Sequence, residues 1–190
     1  FLKKYNKHDK NSNLTIINDY GHGLFNEKII NEISKKKNFL AINAQVNSFN
    51  LGYHNISKYK KADLMLMNET EARHELRVKS SDRSELIKKL SKKIKSKFIT
   101  ITHGKNGASI YSTKNKKLVR VPAFARNVVD KVGAGDALFP ILAICLKSDI
   151  PTEIAIFIAS VSAAINAENY ASKNILNLNY LKKYLEHMLK

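Results

Sequence analysis

The sequence predicts an α/β fold: a mostly parallel sheet sandwiched between helices. Three observations carry that expectation. Short apolar runs of strand length alternate with segments in which apolar residues return at helical spacing. Such alternation is the mark of parallel strands joined by crossover helices. With 44% hydrophobic residues in 190, the chain has enough apolar matter for one full core. Finally, no internal repeat, low-complexity linker or domain boundary interrupts it, so residues 1–190 are expected to form one domain.

Taken in order, the chain opens on Phe1 with a charged, loop-like stretch, without an initiator methionine or the three-part pattern of a signal peptide. A piece of a longer protein is expected. Leu14–Asn18 (LTIIN) is a buried strand that ends in the glycine loop DYGHG. Ile29, Ile30 and Ile33 then mark a helix. Asn38–Ala44 (NFLAINA) and Ala62–Met67 (ADLMLM) are the next strands, and two helices follow over Glu69–Val78 and Arg83–Lys95. Phe98–Thr102 (FITIT) is a strand of β-branched and aromatic residues. Ala108–Ser112 and Leu118–Val121, parted by the charged turn 113–117, read as a hairpin. Asn127–Val129 is a short extended piece, and three helices close the chain over Gly135–Lys147, Pro151–Glu168 and Asn179–Leu189. Pro151 suits a first helical turn, whereas Pro140 either kinks its helix or sits early enough to be tolerated.

Several function classes are disfavoured by composition. The longest apolar runs, Ile141–Leu146 and Ile154–Ile158, are far short of the roughly 18 residues of a membrane span. A net charge of +17 invites a nucleic-acid role, but only five of 33 basic residues are arginine and the lysines are scattered, so no nucleic acid is expected as partner. The single cysteine, Cys145, permits no internal disulfide and no zinc cluster, which fits a reducing cytoplasm.

Chemistry concentrates in residues 130–140, DKVGAGDALFP. Gly133 and Gly135 have no side chain to hold a ligand away, and the helix that follows presents its first amides. Such an end holds an anion. Asp136 sits beside it, where a carboxylate can take a proton from an attacking hydroxyl. The four residues alone also admit a glycine turn with Asp136 as a capping carboxylate.

The stretch from Asp130 to Asp136 resembles the second signature of the ribokinase-like (PfkB) carbohydrate kinases, and other segments resemble that family in the same order. Asn68-Glu-Thr-Glu71 is similar to its NxxE, whose asparagine and glutamate organise magnesium and phosphates. Thr102-His-Gly104-Lys-Asn-Gly107 is similar to its T-x-G-x-x-G strand end, beside which the nucleotide lies. Asp19-Tyr-Gly-His-Gly23 resembles the DYGKG-type loop of kinases that act on heptose phosphates. Every motif follows an expected strand, so all would gather at the carboxyl edge of the sheet.

The resemblance implies ATP-dependent phosphorylation of a sugar or sugar phosphate. Asp136 would act as base, with Gly133, Ala134 and Gly135 around the transferring phosphoryl group. It implies a nucleotide site at Thr102, Gly104, Gly107 and Asn169, bordered by Tyr170, and an acceptor site at Asp19, His22, Asn43 and Gln45. Mg2+ would be held, indirectly, through Asn68 and Glu71, and a monovalent cation near Asp130. The stretches DYGHGLF, NAQVNSFNLGYHNISKYKKAD and VPAFARNVVDKVGAGDA resemble two-domain proteins in which such a kinase module is joined to a cytidylyltransferase-like nucleotidyltransferase. A fused nucleotidyltransferase is therefore an expected partner, alongside a homodimer.

The chain also departs from the family pattern. The N-terminal third that carries the sugar-binding segments and the lid is expected to be missing, which would leave the isolated piece feeble as a kinase. Lys131 stands where threonine or serine is usual, and Asn43-Ala-Gln45 where a charged D-x-K-like element is usual, which suggests acceptor recognition by amides. A binding module that has lost phosphoryl transfer is the alternative these departures keep open.

Overall fold

The computed structural model describes residues 2–9, 12–35, 37–47, 50–79, 82–130, 132–169 and 177–188. Lys131 and Tyr170 lie outside the described residues. The six strands are β1 (Leu14–Asp19), β2 (Phe39–Ala44), β3 (Ala62–Asn68), β4 (Ser96–Thr102), β5 (Ala108–Ser112) and β6 (Lys117–Val121). They form a sheet in the order β1-β2-β3-β4-β5-β6.

β1 pairs with β2 and β2 with β3 in parallel, so that Asn18 lies opposite Asn43 and Asn43 opposite Leu66. Parallel neighbours need long connections. Helix α2 (Glu27–Ser34) supplies the first, and residues 45–61, with one 3-10 turn at Ile56–Lys58, the second. Between β3 and β4 lie α3 (Glu69–Leu76) and α4 (Arg83–Lys93). Only residues 113–116 join β5 to β6, too few for a parallel crossover, and this is the expected hairpin. In β2 and β3 consecutive residues such as Ala41 and Ile42, or Leu64 and Met65, are wholly buried. That is why these strands are apolar runs without alternation.

Local signals set the helix starts. Asn26 caps α2 by accepting from the Ile29 amide, and Asp82 caps α4 by accepting from Ser84 and Glu85. At α3 the cap is reciprocal: Asn68 Oδ1 accepts from the Glu71 amide and Glu71 Oε2 from the Asn68 amide.

The chain divides into two compact units, residues 1–101 with 110–118, and residues 102–109 with 119–190. In the first, Ile30 and Ile33 of α2 and Leu86, Ile87 and Leu90 of α4 pack with Ile17, Ile42, Met65 and Ile99 of the strands. Each such side chain stabilises the fold by about 1.5–3 kcal/mol on burial. In the second, α5 (Ala134–Lys147) packs on α6 (Thr152–Ala167), and α6 on α7 (Leu178–Met188). Val161, Ile165 and Leu181 bury together beside Phe124 and Phe157, whose rings meet edge-on at 5.2 Å.

Two local expectations are corrected. Residues Leu2–Asp9 form a helix, α1, where a loop-like stretch is expected; Tyr5, three residues after Leu2, packs against the core of the first unit. Asn127–Val129 is not a strand: the amides of Val129 and Asp130 both donate to the Ala167 carbonyl at the end of α6. Of the two outcomes open for Pro140, it is tolerated: α5 runs on through it. Among the described residues no helix is long and apolar enough to cross a membrane.

Candidate functional site

In the second unit, Gly133 takes the left-handed conformation at φ +79°, which turns the chain into α5. Gly133, the N-cap residue, has no side chain with which to cap this helix. The first ladder bond runs from the Ala137 amide to the Gly133 carbonyl at 2.9 Å. The amides of Ala134, Gly135 and Asp136 thus precede the ladder, at the positive end of a 14-residue helix. Gly135 has open space where a Cβ would lie, and Asp136 is exposed in the same turn. An anion can approach these amides, with a carboxylate beside it.

The loop that delivers this turn is built from α6. Asn166 Nδ2 donates to the Val132 carbonyl at 3.1 Å, and Ser162 Oγ to the Ala137 carbonyl at 3.1 Å. Asp130 Oδ1 accepts from the Val132 amide at 2.8 Å, closing a tight turn before Gly133. Glu168 accepts from the Arg126 amide at 2.6 Å and from the Tyr184 hydroxyl at 3.0 Å. Sequence reasoning missed Ser162 and Asn166. The signal was available: two polar residues four apart in the apolar run SVSAAINA share one helix face. Asn169 follows α6 and turns its amide back to the Ile165 carbonyl at 2.6 Å.

Thr102 is the last residue of β4, and residues 104–106 form a 3-10 turn. The His103 amide donates to the Gly107 carbonyl at 2.7 Å, and the buried His103 Nε2 lies 2.7 Å from Ser109 Oγ. The two glycines differ. A Cβ on Gly107 would fall 2.0 Å from the Val121 carbonyl oxygen, so this glycine is required by close backbone packing; a Cβ on Gly104 would meet nothing within 4 Å.

In the first unit, Asp19 ends β1 and is 2% exposed. Its Oδ1 accepts from the Gly21 amide at 3.0 Å, and its Oδ2 from the Tyr59 hydroxyl at 2.7 Å and from Lys58 Nζ at 2.5 Å. Burial alone would raise its pKa, but Lys58, Tyr59 and the Gly21 amide outweigh that and hold the carboxyl below the ordinary range. Burial and the neighbouring Asp19 push the Tyr59 hydroxyl well up. His22 is exposed, its ring stacked near Tyr20. Asn43 is 4% exposed in β2, and its Oδ1 finds no hydrogen-bond partner among the described residues. The Gln45 amide donates to the Asp19 carbonyl at 2.9 Å. The structure therefore gathers Asp19, His22, Asn43 and Gln45 at the carboxyl ends of β1 and β2.

Glu71 bonds beyond its own helix: Oε1 accepts from the Val46 amide at 3.0 Å while Oε2 accepts from Asn68. Burial raises its pKa against the pull of these two amides. With both oxygens engaged, Glu71 fits a metal only through intervening water. Among the described residues no group of three or more His, Cys, Asp or Glu is arranged to hold a metal. A cleft of about 430 Å³ runs beside α3, lined by His54, Glu71, His74, Glu75, Arg77 and Lys93 among others.

Residues 24–177 match the pfkB family carbohydrate kinases. The chain is similar to the Bifunctional protein HldE of Campylobacter concisus, at 30% identity over 186 residues that cover 92% of this chain and 38% of that protein. It is similar to the protein of the same name in Campylobacter jejuni at 28% identity over 169 residues, 87% of this chain and 35% of that one. The chain thus spans little more than a third of the length of these relatives. Among solved structures, Giardia lamblia ribokinase superposes with a TM-score of 0.77 at 19% identity, covering 98% of this chain and 63% of that one. A putative ribokinase II from Escherichia coli gives 0.75 at 17%, with 95% and 61% covered. Phosphofructokinase-2 from Escherichia coli in complex with potassium gives 0.70 at 12%, with 86% and 52% covered. These likenesses show the fold alone, and it is ribokinase-like α/β.

Proposed function

Because this chain belongs to the pfkB family of carbohydrate kinases, we propose that residues 1–190 form one kinase domain that moves the γ-phosphoryl group of ATP onto a hydroxyl of a sugar phosphate. The observation that carries this reading is the first turn of α5, opened by a glycine N-cap without a side chain, with open space at Gly135 and the Asp136 carboxylate exposed beside it. Asp136 takes the proton of the attacking hydroxyl. The new bond forms between that oxygen and the γ-phosphorus as the bond to the ADP oxygen breaks. The amides of residues 134–136 stabilise the charge on the transferring group. Bound Mg2+ would screen the phosphates. Asn68 and Glu71 fit an indirect hold on it, and the tight turn at Asp130 fits a monovalent cation.

The acceptor class rests on the DYGHG loop, which resembles that of heptose-phosphate kinases, and on the bifunctional relatives. We read the acceptor as a heptose phosphate, recognised by His22, Asn43 and Gln45, and the working partner as a fused nucleotidyltransferase in a cytoplasmic protein. Coupled ADP release by the full chain with Mg-ATP and a heptose phosphate tests it. Asp136→Asn is expected to abolish turnover and retain nucleotide binding; equal turnover in both proteins would remove Asp136 as the base.

A further inference from the structure

We infer that Asp19, Asn50, His54, Lys58 and Tyr59 are positioning residues: they hold the Gly21–His22 turn and Gln45 in one fixed arrangement for a phosphorylated sugar, which Asp19 itself does not touch. This rests on the acceptor-binding reading of His22 and Gln45.

Asp19 joins its own glycine turn to three points of the 45–61 connection: Gln45, His54 and the Lys58–Tyr59 pair. Through its carboxylate it holds the Gly21 amide on one side and Lys58 and Tyr59 on the other, the latter 40 residues away. Through its carbonyl it takes the Gln45 amide at 2.9 Å and His54 Nε2 at 3.1 Å, which makes Nε2 the protonated nitrogen of that ring. Asn50 closes the arrangement from above: its Nδ2 donates to the Tyr20 carbonyl and to the Gln45 carbonyl, both at 3.2 Å. The Gly21 turn packs closely against Asn50 and His54. A Cβ on Gly21 would fall 2.4 Å from Asn50 Nδ2 and 3.2 Å from His54 Cγ, at a φ of +76°.

The pattern separates support from contact. Asp19 is 2% exposed with both carboxylate oxygens engaged, and Tyr59 is 2% exposed, so neither faces a ligand. His22 is exposed on the turn they hold. Charge-assisted bonds to a buried carboxylate are the stronger kind, and a loop fixed before binding spares the ligand the cost of ordering it. The 45–61 connection, which forms no α-helix among its described residues, is thereby tied to the end of β1.

Tyr59→Phe removes only the hydroxyl, and Lys58→Met keeps the aliphatic stem while removing the charge. Both are tested in the full chain by calorimetric affinity for a heptose phosphate and for Mg-ATP, and by the backbone amide NMR signals of Gly21, His22 and Gln45. The expected result is about a tenfold loss of heptose phosphate affinity, unchanged Mg-ATP affinity, and shifted or broadened signals at those three amides while β3 and β4 signals stay in place. Equal losses for both ligands, or heptose phosphate affinity retained in both variants, would overturn the proposal. If the unaltered chain takes no heptose phosphate, the acceptor reading fails by itself; the three amide signals then decide the positioning role, and their staying unmoved overturns it.

Discussion

Asn166, near the end of α6, stands against Gly133 at the start of α5: its Nδ2 donates to the carbonyl of Val132 and lies 3.3 Å from where a Cβ on Gly133 would be. The glycine is thus held by its left-handed backbone and by a neighbour. Gly133→Ala is expected to cost about 1–2 kcal/mol from the φ of +79° alone. Gly135→Ala should behave oppositely. Its site is open and within the helix, so stability holds or rises by up to about 1 kcal/mol, while the added methyl occupies the approach to the amides and ATP turnover falls. Urea denaturation and ADP release on the same two proteins separate the roles. A Gly135→Ala enzyme with full turnover would count against an anion at this turn.

The two glycines after β4 make a second contrast. Gly107→Ala must displace the Val121 carbonyl, which a Cβ would approach to 2.0 Å, and should destabilise by roughly 3 kcal/mol. Gly104→Ala bears only its left-handed strain at φ +57°, about 1–2 kcal/mol. If the nucleotide lies over Gly104, that variant raises the KM for ATP several-fold and lowers the melting temperature by only the few degrees this strain costs, less than Gly107→Ala does. Thermal melts and ATP titrations check both.

Asp19 sets a pH dependence whose sign follows from its lowered pKa. In the unfolded chain the carboxyl titrates near its ordinary value of 3.8; in the folded chain it titrates lower. Its contribution is therefore complete above 3.8 and is lost as pH falls through the folded value. Asp19→Asn should be less stable than the unaltered protein by about 2–3 kcal/mol near neutrality, and the gap should close in acid below 3.8. Urea midpoints along a pH series measure it. A gap that stays constant into strong acid would mean Asp19 is not ionised in the fold.

The strands were legible because burial on both faces leaves no alternation to confuse: NFLAINA and ADLMLM lie within a residue of β2 and β3. The hairpin was legible from its short charged turn. Helix α1 was not, because LKKYNKHD offers only Leu2 and Tyr5 to a core and its other residues are polar. At the site, GAGD could be read from its own glycines and NETE from its resemblance to NxxE, while the capping box that NETE forms came only with the structure. The setting of Asp19 could not. Its partners lie up to 40 residues on, in KY of SKYKK, where nothing nearby marks them as companions of a buried carboxylate. Asn166 was hidden in the same way, as a polar residue whose work is done for a loop 34 positions earlier.

Cys145 gives α5 a built-in clock. The chain has one thiol, on the helix that begins at Ala134; it is 6% exposed, and burial raises its pKa. A thiol so placed reacts only when its surroundings open. The rate at which a disulfide reagent modifies the folded protein therefore counts the openings of the helix that presents Asp136, more than two turns away on the same rod. A nucleotide bound at the first turn of α5 should slow that count by the factor its binding stabilises the closed helix; with nucleotide bound elsewhere, the count would run on unchanged.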